Sequence, residues 1–229
     1  MLGKAHRHLS GALYICHTDF PLHRIQQKGN RSIDRVGLLT VIVKIFKYDS
    51  NEDSIMNTNP RRTAAAAALF LILVALDLIT KSLAVSALRG GIRIDLIKGV
   101  LEFYYIENRG AAFGIFQDGT LILGIISAVS LCVIITLYLK TPDDRKYLPL
   151  RLVFVFLSAG AAGNLIDRIS LHYVRDFIYF SLIDFPVFNV ADIYVTCSVF
   201  VLAYLIVFHY REEDLAFLGF KEDSRHEET

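Results

Sequence analysis

The chain has 229 residues, is 54% hydrophobic and 21% charged, and its 24 Lys+Arg against 23 Asp+Glu leave a net charge of +1. That apolar share exceeds the about 45–50% of an ordinary soluble domain and excludes disorder; the balanced charge excludes a nucleic-acid binder held by a uniform basic field. The total hides three regions: residues 1–62 carry 10 basic and 5 acidic side chains, residues 63–210 carry 11 of each, and residues 211–229 carry 3 and 7.

The first region reads as an N-terminal extension outside the fold. Its longest apolar run, Val36–Val43, is too short to span a bilayer, and no secretory signal pattern opens the chain. Met1 and Met56 are the only methionines, and a start at Met56 would place Asn-Thr-Asn-Pro-Arg-Arg directly before the first apolar segment. Residues 1–55 are therefore expected to be an upstream extension. Cys16, Cys132 and Cys197 have no metal-ligand or CxxC spacing and are expected to be small buried hydrophobes.

Residues 63–210 resolve into four membrane spans. Gly119–Leu139 runs 21 residues without a charge, enough to cross a bilayer. Thr63–Leu88 forms the first span and contains Asp77 and Lys81; Tyr147–Ile166 forms the third; Phe188–Tyr210 forms the fourth, with Asp192 in its first turns. Basic residues are nearly even across the two sides, so orientation rests on the Arg61–Arg62 pair before the first span, which places both chain ends inside. The acidic residues after Tyr210 read as a solvated cytoplasmic tail.

Ionisable groups in apolar spans are costly and mark function. Three clusters fall on one side of the membrane: Glu107–Gly114, Gly163–Arg168 at the end of the third span, and Val174–Phe177 followed by Phe185–Asp192. Asp77 and Lys81, four apart on one helix face, form an i,i+4 ion pair or belong to a polar network beneath these clusters. If Asn189 caps the fourth span, Asp192 becomes its third helical residue, where free N–H groups favour the anion. Asp176 lies 16 residues before Asp192, a spacing that suits a loop folding back over the span entry. Ala159 and Gly163 have the small-xxx-small spacing of close helix packing.

In order, Asn108–Phe113, Gly163–Arg168, Val174–Phe177 and Phe188–Asp192 resemble the N-x-G-A-A-F, G-N-x-x-D-R, V-x-D-F and F-N-x-A-D segments of the lipoprotein signal peptidase (signal peptidase II) family. The resemblance covers residues 64–210, and Asp77…Lys81 resembles the family's D-x-x-T-K stretch. It implies an all-α integral membrane protease of four helices, N-in and C-in, with a small periplasmic β-cradle and helix as cap. Ile92–Tyr105 has the alternation that such strands need. The resemblance makes Asp176 and Asp192 the catalytic dyad, and Asn108, Gly110, Asn164, Asp167, Arg168, Asn189, Asp77 and Lys81 the supporting or substrate-binding residues. Arg175 departs from the small apolar residue common at its position and brings charge beside Asp176.

The implied reaction is removal of the signal peptide from diacylglyceryl-modified prolipoproteins, before the lipidated cysteine, at the outer face of a bacterial inner membrane. Water is the only co-reactant; no metal or cofactor is implied. Membrane lipid is the medium, globomycin-type inhibitors are expected to bind, nucleic acid is not a partner, and a monomer is expected. The competing reading is a small proton-coupled transporter using Asp77, Asp176 and Asp192 as a relay, which would spread carboxylates through the bilayer depth.

Overall fold

A computed structural model describes residues 59–110 and 119–218. Most of the predicted N-terminal extension, the Ala111–Phe113 part of the first motif, and the end of the acidic tail lie outside the described residues.

Helix α1 spans Pro60–Leu88. Asn59 accepts the Arg61 N–H at 3.0 Å and Pro60 takes the first helical position, where its missing N–H costs nothing. Gly90 and Gly91 then turn the chain at φ 93° and 86°, a region that side chains disfavour. Strands β1 (Arg93–Ile97) and β2 (Leu101–Asn108) follow as an antiparallel hairpin, pairing Arg93 with Tyr104 and Ile94 with Phe103. Helix α2 (Thr120–Lys140) and helix α3 (Leu148–Leu171) come next, then strand β3 (Val174–Tyr179) and helix α4 (Val190–Tyr204), which closes in a π-turn over Leu205–His209.

All four helical segments are long and apolar enough to cross a membrane. The central one is α3, which packs against α1, α2 and α4. Leu150, Val153, Phe154 and Leu157 of α3 cluster with Leu205 and Tyr210, while Val155, Ala159 and Ala162 meet Leu73 and Val74 of α1. Helix α2 buries no residue, and its Leu121, Ile125 and Val129 stand exposed as a lipid-facing surface would. Cys132 and Cys197 are exposed too, not buried as expected. In a membrane protein an apolar residue need not enter the core to leave water, because lipid receives it.

The sheet runs β1-β2-β3, all antiparallel, and caps one end of the helices through Phe177, which packs with Ala84 and Leu88. Four further expectations are corrected. The extension does not reach residue 62: α1 begins at Pro60, capped by Asn59, and Arg62 pairs with Asp143 at 2.9 Å. The third span does not end at Ile166; α3 continues to Leu171 because Asp167 and Arg168 find partners on other elements. Asp176 lies in strand β3, not in a loop, with Ile106 of β2 opposite. The chain after Tyr210 is not wholly a solvated tail. Residues Glu212–Leu218 form a 3₁₀ helix, Leu215 and Phe217 join the helical core, and Asp214 pairs with Lys146.

Candidate active site

The entry to α4 organises the site. Asn189 is the N-cap, and its Oδ1 accepts the Asp192 N–H at 3.1 Å. Asp192 returns the contact by accepting the Asn189 N–H through Oδ2, also at 3.1 Å, which completes a capping box. The cap fixes the polarity of the Asn189 amide. Its oxygen serves the helix, so Nδ2 points away and donates to Asp176 Oδ1 at 2.6 Å.

The same logic orients the other two asparagines. Lys81 Nζ can only donate, so Asn164 turns Oδ1 toward it at 2.9 Å and presents Nδ2 to Asp192 Oδ1 at 2.8 Å. Asn108 spends Oδ1 on the Gly110 N–H (3.0 Å) and donates Nδ2 to Asp176 Oδ2 at 2.8 Å. Three amides thus deliver donors to two carboxylates, one on β3 and one at the N-terminus of α4. Burial, and then the negative charge of Asp192, push the Asp176 carboxyl up to about 7 against the two amide donors.

Behind this layer lies a second one with no access to solvent: Asp77, Lys81 and Asp167 are all 0% exposed. Lys81 Nζ is 2.8 Å from Asp77 Oδ2 and 3.4 Å from Asp167 Oδ2. Asp77 Oδ1 also accepts the Ala191 N–H of α4 at 2.9 Å. The Asp77–Lys81 pair is thus both of the things its spacing allowed, an i,i+4 ion pair and the base of the polar network. Gly163 makes room for it, since a Cβ there would collide with Asp77 Oδ2. The small-residue spacing therefore serves packing and the site together.

Asp167 and Arg168, adjacent in sequence, do not pair with each other. Asp167 pairs with Arg175 at 2.6 Å, and Arg168 Nη1 reaches Ser127 Oγ of α2 at 3.2 Å. Arg175 therefore engages the buried layer, rather than standing as a spare charge beside Asp176. Sequence reasoning missed Ser82, which receives Arg175 Nη1 at 3.3 Å, and Ser127. Nothing local marks either hydroxyl.

Asp176, Asp192, Asn108, Gly110, Asn164 and Arg168 open on one cavity of about 1330 Å³. Its other walls are mostly apolar: Phe103, Ile106, Val174 and Ile178 on the sheet side, and Ile193, Thr196 and Cys197 along α4. The carboxylates of the polar network, Asp77, Asp167, Asp176 and Asp192, are tied through Lys81, Asn164 and Asn189 into one cluster around the start of α4, whereas a transmembrane relay would spread them through the bilayer depth.

A four-helix membrane bundle capped by a small sheet, with an apolar cavity ending on hydrogen-bonded carboxylates, defines an integral membrane enzyme. Two solved structures, each of a bacterial membrane enzyme determined by the in meso method, share the fold with TM-scores of 0.58 and 0.57. Both are 27% identical to this chain, of which they cover 63% and 64%, while the match covers 88% and 95% of their own lengths. Residues 69–208 match the model of the signal peptidase (SPase) II family, and the chain belongs to that family of proteases. The lipoprotein signal peptidase of Clostridium novyi (strain NT) is 39% identical over 137 residues, 58% of this chain and 91% of that protein. That of Caldanaerobacter subterraneus subsp. tengcongensis is 40% identical over 144 residues, 62% of this chain and 96% of its own. The matched segment contains every residue of the site described above.

Proposed function

We propose that this protease is an aspartyl endopeptidase whose catalytic residues are Asp176 and Asp192. One observation carries the reading: two carboxylates from different elements converge on one apolar cavity, each held by asparagine amides. Asp192, at the third position of α4 and bonded to the Asn189 N–H, is the ionised member and accepts a proton from water. Asp176, whose proton is retained up to about pH 7, donates to the scissile carbonyl oxygen as hydroxide adds to the carbon. Collapse of the gem-diol breaks the C–N bond, the leaving amine takes the proton held by Asp192, and Asp176 recovers its own from the diol.

The substrate is a prolipoprotein bearing a diacylglyceryl-modified cysteine, cut on the N-terminal side of that cysteine. The apolar walls beside α4 suit a signal helix and acyl chains that enter sideways from lipid. The protein works as a monomer in a bacterial inner membrane, both ends inside and the site at the outer face. Asn108, Gly110, Asn164, Asp167, Arg168, Asn189, Asp77 and Lys81 support the dyad, and globomycin-type peptides occupy the same cavity.

The deciding experiment incubates the purified full chain with a diacylglyceryl-modified prolipoprotein. Asp176→Asn and Asp192→Asn should each abolish signal-peptide release while remaining folded in detergent. Near-normal turnover by either variant would refute the dyad.

A further inference from the structure

On the assignment of Asp176 as a catalytic carboxyl, we infer that Arg175 is a positioning residue: its guanidinium clamps β3 onto α3 and α1 and thereby holds the adjacent Asp176 at the cavity. Side chains of a strand alternate between faces. Val174, Asp176 and Ile178 line the cavity, so Arg175 and Phe177 face the helices behind it. From there Arg175 gives Asp167 three bonds: its backbone N–H to Oδ2 at 3.1 Å, Nε to Oδ2 at 3.3 Å and Nη2 to Oδ1 at 2.6 Å. Nη1 goes on to Ser82 of α1 at 3.3 Å.

The anchorage matters because β3 is the last strand of the sheet, and beyond β2 its only backbone–backbone bonds among the described residues are to Phe188, at Phe177 and Ile178, which leaves the Arg175 end of the strand to its bonds with Asp167 and Ser82. Charge supplies a second reason. The buried layer holds two carboxylates, Asp77 and Asp167, against Lys81, and Arg175 brings it to neutrality. Around this pair the charged or titratable neighbours are Asp77 and Lys81 from α1, Tyr105 and Glu107 from β2, Arg168 from α3, Tyr173 before β3 and Asp192 from α4. Without Arg175 the layer keeps an unbalanced negative charge behind Asp176. A lysine would restore the charge but not the fork that grips both oxygens of Asp167 and reaches Ser82.

The test compares the full-length wild type with Arg175→Met, Arg175→Lys and Asp176→Asn on a diacylglyceryl prolipoprotein, recording kcat, KM, pH profile and thermal unfolding. Arg175→Met should lower kcat by roughly tenfold or more, with KM within about twofold, because misplacing a reacting group acts on the transition state. Its basic pH midpoint should move upward. Arg175→Lys should restore the midpoint while keeping part of the kcat loss. Wild-type kcat and midpoint in Arg175→Met, even with lowered stability, would overturn the inference and leave Arg175 a structural tie. If Arg175→Met does not fold, the lysine variant decides: wild-type kcat overturns the clamp, and reduced kcat at an unchanged midpoint supports it. Turnover by Asp176→Asn would instead sink the dyad, a separate failure.

Discussion

Asn189 donates to Asp176 at 2.6 Å while the other end of the same amide caps the helix that carries Asp192. One buried side chain therefore sets the distance between a strand carboxylate and a helix carboxylate. Asn189→Ser keeps an oxygen for the cap but loses the amide donor; Asn189→Ala loses both. The serine variant should be destabilised by about 1–3 kcal/mol for the donor lost from buried Asp176, and the alanine variant by about 1 kcal/mol more for the lost cap. Both should lose turnover, up to about 100-fold for a displaced reacting group. Thermal unfolding in detergent beside a turnover assay checks the separation, and a fully active serine variant would count against it.

The Asp176 carboxyl, pushed up to about 7 by burial and by Asp192, makes two pH-dependent outcomes. Activity needs its proton, so kcat/KM should fall as pH rises through about 7. Stability follows the same sign. The native state keeps a proton that the unfolded chain releases near the usual 3.8, so stability declines as pH climbs from there toward 7 and levels off above it. Asp176→Asn has no such proton. Its unfolding temperature relative to wild type should therefore improve across that window, and a constant difference at all pH values would contradict the assignment.

The helices and the α4 cap were legible in the sequence for a local reason. A charge-free run of 21 residues admits few structures besides a span, and Asn189 with Asp192 three residues on is a self-contained cap. Strand β3 was not legible, because Arg175 and Asp176 put charge on both of its faces. It reads as a loop until Asp167 is known to receive one side and Asn108 and Asn189 the other. The end of α3 was missed for a related reason: Asp167 and Arg168 look like a terminus, yet their partners Arg175 and Ser127 keep the helix going. Lys81 with Asn164 and Ser82 with Arg175 join positions 83 and 93 residues apart, and no local spacing encodes that.

Lys81 stands between Asp77 and Asp167 with none of the three exposed. Removing the ammonium leaves buried carboxylates without their partner, which costs more than the pair contributes when intact. Lys81→Met should destabilise by about 3–5 kcal/mol. Adding Asp77→Asn should recover part of that loss, since one uncompensated charge goes with it. A double-mutant cycle by thermal unfolding reads the coupling. Simple additivity of the two changes would show that the pair is not interacting.

Two glycines on one face of α3 give the last prediction, and they should fail differently. A Cβ at Gly160 would lie 2.6 Å from the Ala191 carbonyl and 2.7 Å from Val195 Cγ2, against α4 backbone that cannot step aside alone. Gly160→Ala should therefore push α3 and α4 apart, at about 1–3 kcal/mol for overpacking. A Cβ at Gly163 meets instead the Asp77 carboxylate, a side chain held by Lys81 and the Ala191 N–H. Gly163→Ala should displace Asp77, pull the α4 entry with it and reduce turnover more than its effect on unfolding temperature implies. Equal losses of activity at equal losses of stability for the two variants would show that Gly163 serves helix packing alone.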